Sequence, residues 1–301
     1  MENQLTYNLA RATSNIAALA ELRSDLPDVA KLQQYSGWGG LRDAIYQPVI
    51  YKQLKSLVSD TDIKAIKETV KTAYYTPERL VNFIYQKLQS MQFLPKRILE
   101  PSAGHGVFIK AIPDSWQQQA TVTAVEMDSI SCKLLKTLYP NITVCHGRFE
   151  EFNSAERFDL VVGNPPYGQI EFKDELNPDL AVCSIHHYFV GKCMRLLNEG
   201  GILAMVLPRY FLDAPEKHLR HIIGKEGGSL LKAYRLPDDL FDDAKVTVDL
   251  VFLQKKSGDE SWIKTRPFIE DGKRAYMNTY FFQHPKQVLG NIEFIKAYGR
   301  N

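Results

Sequence analysis

The sequence predicts an α/β domain built on a mostly parallel seven-stranded sheet with helices on both faces, preceded by a helical extension. Three observations carry that prediction. Short β-branched or apolar runs at 97–99, 121–126, 142–144, 158–163, 202–207, 230–236 and 246–254 alternate with stretches of helical periodicity, the pattern of βα units. The first run ends in an acidic residue and a glycine turn, Glu100-Pro101-Ser102-Ala103-Gly104-His105-Gly106. The fourth ends in a glycine followed by Asn164-Pro165-Pro166-Tyr167, and in open α/β sheets ligands bind at the carboxyl ends of the strands.

Composition agrees with that class. The chain has 301 residues, 45% of them hydrophobic and 24% charged, which suits one large soluble domain with an extension. A formal net charge of +2 and a sequence pI near 8.2 neither demand nor exclude a polyanionic partner, so any nucleic-acid surface is a local patch. The cysteines Cys132, Cys145, Cys183 and Cys193 form no C-x-x-C pair, and the N-terminus lacks a basic segment followed by an apolar one; both point to a reduced, cytoplasmic protein. Cys145-His146, His186-His187 and Cys193 lack ligand spacing, so no metal is expected. No run of about twenty apolar residues exists to span a membrane.

Residues 1–72 read as the extension. Thr13-Ser14-Asn15 can cap a helix whose apolar positions Ile16, Leu19, Ala20, Leu22 and Leu26 lead to Pro27. Further helices are expected over 29–35 and 62–71. Between them, Tyr35-Ser36-Gly37-Trp38-Gly39-Gly40-Leu41 sets three glycines around a tryptophan, a tight connection whose ring needs a pocket. Trp38 is expected to pin the extension onto the domain that follows.

Residues 73–256 form that domain. Tyr75-Thr76-Pro77-Glu78 places a hydroxyl and a proline at a helix start, with Leu80, Val81, Ile84 and Leu88 as the apolar stripe behind; Thr76 at the cap would leave amides facing a carboxylate. The glycine turn lacks G-x-G-x-x-G spacing, so no pyrophosphate is implied. Glu100 can instead attract a cationic group, while Gly104 and Gly106 let the backbone approach a ligand. The second strand ends in Glu126, about twenty residues beyond the turn, where such sheets contact ribose hydroxyls. Met127 can cover an adenine ring, Asp128 can cap the next helix, and Phe149 after the third strand is available for stacking.

Beyond the fourth strand, residues 168–180 are polar and are expected to be a mobile cover for the site. A helix over 184–197 should end at Gly200-Gly201 before the fifth strand, and Arg209 follows that strand on the ligand side. The run Lys217, His218, Arg220, His221 and Lys225 reads as a solvated helix face. Phe241, in the loop 237–244, is placed to form an aromatic wall at the same mouth.

The Asn-Pro-Pro-Tyr loop carries the chemistry. Two prolines fix two φ angles and remove two donors, leaving a stiff loop with free carbonyls. The Asn164 amide oxygen beside the Pro165 carbonyl gives two converging acceptors, and Tyr167 adds a flat face. That pair suits a planar amine with two N–H donors, such as the exocyclic nitrogen of adenine. Two acceptors would localise its conjugated lone pair and stabilise the positive charge that develops on methylation.

Asn164-Pro165-Pro166-Tyr167 resembles the catalytic loop of S-adenosylmethionine-dependent amino-methyltransferases. Tyr75-Thr76-Pro77 and the Glu100 to Gly106 turn are similar to the corresponding segments of adenine methyltransferases. Tyr35-Ser36-Gly37-Trp38-Gly39-Gly40 and residues 280–290 resemble methyltransferase regions fused to helicases in phages, plasmids and other mobile elements. The resemblance implies a Rossmann-like class I methyltransferase fold with an antiparallel edge made by the last two strands. It implies S-adenosylmethionine as cofactor and methyl transfer to N6 of an adenine extruded from duplex DNA, in a restriction-modification or mobile-element setting. Cofactor contacts are then expected from Tyr75, Thr76, Pro77, Glu100, Pro101, Ser102, Ala103, Gly104, Gly106, Glu126, Met127, Phe149 and Asn164. Catalysis falls to Asn164, Pro165, Pro166 and Tyr167, and substrate contacts to Tyr167, Phe241 and Arg209.

The chain departs from the family at Arg148, where an acidic residue usually accepts from the cofactor's adenine amine. Arginine cannot accept, so Glu150 or a backbone carbonyl would take over. Residues 257–301 are expected to be a tail that contacts nucleic acid or a partner through Trp262, Lys264, Arg266, Lys273, Arg274 and Tyr276. It is too short for a large recognition domain, so a protein partner or a recognition or helicase domain is implied. Two alternatives stay open: amine methylation on RNA or protein glutamine, and a catalytically idle cofactor- and DNA-binding module of a mobile-element protection system.

Overall fold

The structure is a computed structural model that describes residues 2–72, 75–168, 171–180, 184–241, 246–256, 260–270 and 272–292. The extension comprises α1 (Glu2–Glu21), α2 (Val29–Leu32), α3 (Arg42–Ile45), α4 (Pro48–Leu57) and α5 (Asp60–Thr72). The domain follows with α6 (Glu78–Ser90), β1 (Arg97–Glu100), α7 (Val107–Lys110), α8 (Asp114–Gln117), β2 (Thr121–Glu126), α9 (Ser129–Leu138), β3 (Thr143–His146) and β4 (Phe158–Gly163). It continues with α10 (Ile185–Leu196), β5 (Leu197–Pro208), α11 (Tyr210–Asp213), α12 (His218–Lys225), β6 (Gly228–Arg235) and β7 (Val248–Lys255). A ribbon of β8 (Thr265–Glu270) and β9 (Lys273–Asn278) and a helix α13 (Thr279–Gln283) follow.

The seven strands run in the order β3-β2-β1-β4-β5-β7-β6. β7 pairs antiparallel with both of its neighbours, and the remaining pairings are parallel. β1 and β4 are almost wholly buried, as continuous apolar strands covered on both faces must be. One face packs on α6, α7 and α8, with Leu80, Ile84, Phe108 and Trp116 in one core cluster. The other packs on α10, α12 and the C-terminal elements, with Phe189, Met194, Ile223 and Trp262 in a second. Strand order reverses between β1 and β4, so a crevice opens at their carboxyl ends, beside Glu100 and Asn164.

Five expectations change. Thr13-Ser14-Asn15 lies inside α1: Thr13 Oγ1 donates back to the Leu9 carbonyl at 2.8 Å, and the Asn15 side chain reaches across to the 35–41 loop. Its Nδ2 donates to the Gly37 carbonyl at 2.7 Å and its Oδ1 accepts from Ser36 N at 2.9 Å, because an amide that can cap a helix can equally clasp a loop. Leu26 is 90% exposed, and α2 stops at Leu32. Gly200 and Gly201 do not end α10; they sit within β5, where Gly200 has φ +80° and the register against β4 shifts, a bulge. The segment after Tyr167 is tied down in its described part, since buried Asp174 accepts from Tyr188 Oη at 2.5 Å, Asn177 Nδ2 at 2.9 Å and Lys192 Nζ at 3.0 Å.

The fifth concerns the described residues after 256, which pack onto the domain as a wing. Trp262 is buried and its Nε1 donates to the Gly228 carbonyl at 2.9 Å. Asn278 Nδ2 donates to the carbonyls of Trp262 (2.7 Å) and Leu212 (3.1 Å), and Phe281 is buried beneath the Arg235 guanidinium. Trp38 behaves as expected: it is buried in a cluster with Leu41, Ile45 and Ile63 that also holds Ile130 and Leu134 of α9, so the extension shares a core with the domain.

Burial pushes the Asp174 carboxyl up, but hydrogen bonds from Tyr188, Asn177 and Lys192 outweigh it and hold the group down at about 2. A carboxyl depressed in the folded state stabilises above its unfolded value, near 4, and that stability is lost as pH falls toward 2. Asp174→Asn leaves Lys192 buried without its counter-charge and should cost about 3–5 kcal/mol at pH 7. Urea denaturation across pH should show a steeper acid loss in the wild type than in Asp174→Asn; parallel curves would contradict the assignment.

Candidate active site

The crevice is built around two carboxylates. Glu100, at the end of β1, is 2% exposed, and its Oε2 finds no hydrogen-bond donor among the described residues. Register pairs Glu100 with Ala124, so Glu126 stands two residues further out on the neighbouring strand. Glu126 Oε2 accepts from Gly104 N and its Oε1 from Asp128 N, both at 2.7 Å, while Ala103 N donates to the Val125 carbonyl at 3.0 Å. The glycine turn is thus folded back onto the end of β2. Its φ angles, +53° at Gly104 and +87° at Gly106, suit glycine, and a Cβ on Gly106 would lie 2.6 Å from Leu135.

Burial, then the charge of Glu126, pushes the Glu100 carboxyl well above the usual range. Burial also raises Glu126, against the amide hydrogen bonds from Asp128 and Gly104. A buried carboxylate without a donor is costly. This donor set therefore fits a ligand that brings positive charge to Glu100 and hydroxyl groups to Glu126.

The Asn-Pro-Pro-Tyr loop closes the other side. Ser102 Oγ donates to the Asn164 carbonyl at 3.2 Å, linking the two loops directly. Asn164 is half-buried, Pro165 buried and Pro166 exposed. Tyr167 Oη lies 2.6 Å from Asn164 Oδ1 and 3.1 Å from the Val206 carbonyl, and its one proton serves one acceptor at a time. Burial, with the charge of Asp249, pushes this hydroxyl well above its ordinary range, so it stays a donor. The ring is half-buried and stands edge-on to His186, with centroids 6.3 Å apart. His186 is held down to about 4 by burial and is a neutral brace. Behind the loop, Arg235 forms a two-pronged pair with Asp249 (2.9 Å twice) and reaches Asp213 at 2.8 Å.

Other expected residues fall in different places. The Tyr75 ring is sandwiched between two glycine backbones: a Cβ on Gly37 would lie 2.2 Å from it, and one on Gly104 3.4 Å. Thr76 is buried, but the N-cap of α6 is Pro77, with no side-chain cap bond. Met127 is 60% exposed just past β2. Phe149 is a core residue, packed on Phe152 and Phe189 with the Lys192 ammonium 5.0 Å from its ring, so it is not available for stacking. Phe241 is also buried among core residues, yet it lines a cavity beside His105 and Gly106. Arg209 lies over the Tyr210 ring and 3.7 Å from Asp213 instead of facing outward alone. Arg148 is exposed. The carboxylate that folds beside Gly147 is that of Glu151, while the Glu150 carbonyl accepts from Lys192. Cys183 and the 242–244 part of the Phe241 loop lie outside the described residues.

Sequence reading missed Arg11, the Lys192–Asp174 pair and the Arg235–Asp249–Asp213 cluster. Lys192 in an otherwise apolar helix, and Arg235 and Asp249 in otherwise apolar strands, were legible signals, since a charge on a buried face needs a partner. Arg11 gave none. Among the described residues no group of three His, Cys, Asp or Glu side chains can hold a metal ion, and no helix is long and apolar enough to cross a membrane.

The seven-stranded sheet with its antiparallel strand is the class I methyltransferase fold. The methyltransferase subunit of a type I restriction-modification system from Streptococcus thermophilus shares the fold, with a TM-score of 0.53 at 14% identity over 87% of this chain and 70% of that one. Residues 109–227 match the family described as Eco57I restriction-modification methylase. The type II methyltransferase M.CvrRI of Paramecium bursaria Chlorella virus XZ-6E is 31% identical over 144 residues, 47% of this chain and 37% of that protein. The defense against restriction protein B of Escherichia phage P1 is 28% identical over 189 residues, 60% of this chain and 8% of that protein. The chain therefore spans well under half the length of both relatives.

A raised carboxyl contributes stability below its unfolded value that is lost as pH rises through its folded one. Glu100→Gln should accordingly raise the stability of the cofactor-free protein at pH 7 by about 1–2 kcal/mol, with the gain vanishing near pH 4, while weakening cofactor binding. Thermal melts at both pH values check this, and a destabilised variant at pH 7 would contradict it.

Proposed function

We propose that this domain methylates the exocyclic N6 amine of adenine in DNA. The observation that carries the reading is a stiff acceptor loop joined to a turn flanked by the carboxylates of Glu100 and Glu126. Asn164 and Pro165 directly follow β4, and the 3.2 Å Ser102 hydrogen bond links them to the turn that Glu126 holds. Bound S-adenosylmethionine supplies a methyl group made electrophilic by its sulfonium. In this reading Glu100 holds the cofactor's ammonium, Glu126 its ribose hydroxyls, and Gly104 admits it close to the backbone.

On the substrate side, the Tyr167 hydroxyl is a placeholder. When it turns to the Val206 carbonyl, 3.1 Å away, it vacates Asn164 Oδ1 for an incoming N–H. Asn164 Oδ1 and the Pro165 carbonyl together take both amine hydrogens. Their partial charges then oppose the positive charge that grows on nitrogen, so no base need act first. Adenine in a duplex must leave the stack to reach a half-buried loop. DNA as substrate is supported by the restriction-modification match across 109–227. Since the chain spans 37% of its type II relative, target recognition is assigned to a further domain or protein partner.

Transfer of labelled methyl groups to DNA tests the reading. Asn164→Ala should lower turnover by at least about a hundredfold to a thousandfold with cofactor affinity nearly unchanged. Loss of cofactor affinity with transfer intact would overturn the assignment.

A further inference from the structure

Between the extension and the glycine turn lies a cavity of about 330 Å³, with Arg11, Gln34, Tyr35, Tyr75, Thr76 and His105 in its walls. We propose that it receives the carboxylate of the cofactor's amino-acid end, with Arg11 of α1 as the counter-charge; this rests on the methyltransferase reading above. The helical extension is then part of the cofactor site and not only a covering domain.

The argument is one of charge and position. The amino-acid end of such a cofactor bears an ammonium and a carboxylate on one carbon. On one side of the glycine turn stand two carboxylates, Glu100 buried and Glu126 half-buried, which attract the ammonium and repel the carboxylate. The carboxylate must therefore point the other way, and there the cavity walls hold Arg11. Lys110, a second cation in those walls, pairs with Glu78 at 2.5 Å. Arg11 Nε reaches Ser36 Oγ at 3.3 Å, and its Nη2 reaches the Ser36 and Gly39 carbonyls at 3.4 Å. A guanidinium has five N–H donors and can hold that loop and an anion together.

Two neighbours prepare the same place for an acceptor. His105 Nδ1 is buried with no hydrogen-bond partner among the described residues. Its ring is held edge-on by Tyr75, with centroids 4.7 Å apart, and lies 6.4 Å from Tyr35. Burial first and the Arg11 charge second hold this imidazole down to about 4, so the field of Arg11 reaches the glycine turn. The size agrees as well, since about 300 Å³ is the lower end for small-molecule sites and suits one end of a ligand. Gly37, in the loop Arg11 holds, lets the Tyr75 ring lie flat between cavity and crevice.

Calorimetry on the full chain compares S-adenosylhomocysteine with its decarboxylated analogue, 5′-(3-aminopropyl)thioadenosine. The wild type should prefer the carboxylate-bearing ligand by about tenfold to a hundredfold. Arg11→Gln should reduce that preference to within about threefold while leaving the analogue's affinity unchanged, and Arg11→Lys should restore part of it. An absent preference in the wild type, or an equal loss for both ligands in Arg11→Gln, would overturn the proposal and leave Arg11 a strap for the 35–41 loop. Failure of S-adenosylhomocysteine to bind the wild type at all would instead remove the methyltransferase reading beneath it.

Discussion

The carboxylate of Glu126 accepts from the backbone amide of Gly104, and much of the crevice follows from that one bond. It bends the β1 turn back over β2 and sets Ser102 where its hydroxyl can reach the Asn164 carbonyl. It also leaves Glu100 on the inner side of the turn without a donor. Two acidic side chains on adjacent parallel strands repel each other, and burial makes that repulsion expensive. Under the proposed function that cost is offset when the cofactor's ammonium arrives, which is how a binding site differs from a well-satisfied core.

Around this crevice the chain uses amides and aromatics to fasten elements that a plain α/β sheet would not include. Asn15 clasps the 35–41 loop, Trp38 carries the extension into a core shared with α9, and Asn278 ties the C-terminal ribbon to α11 and Trp262. Arg235 links that wing to the sheet, pairing with Asp249 in β7 while covering Phe281 in α13. Both additions therefore bear on the mouth of the sheet: one at the cofactor turn, the other behind the Asn-Pro-Pro-Tyr loop. The catalytic loop is stiff because prolines define its shape and because it is braced from behind by His186.

What was legible in the sequence was whatever local physics decides. β-branched runs became the expected strands, and the glycine turn, Glu126 and the Asp128 cap fell where strand ends required them. The antiparallel placement of β7 agreed with the family pattern. What failed was decided by distant neighbours. Asn15 looked like a cap because capping and clasping use the same amide, and only the 35–41 loop determines which occurs. Gly200-Gly201 looked like a helix stop, but the pairing of β5 with β4 made it a bulge. Phe149 looked like a stacking surface because a ring beside a site and a ring beneath it are identical in sequence. The residues after 256 looked too few for a recognition domain and read as a tail, yet Trp262 and Phe281 found an existing core to join.

The central claim is that a rigid turn presents paired oxygen acceptors to a planar NH₂ group opposite a methyl donor. The most direct measurement is to treat DNA with the protein and labelled S-adenosylmethionine, digest it to nucleosides and locate the label. The account predicts label in N6-methyldeoxyadenosine. Label on a ring carbon such as cytosine C5, or none with a cofactor that binds well, would contradict it.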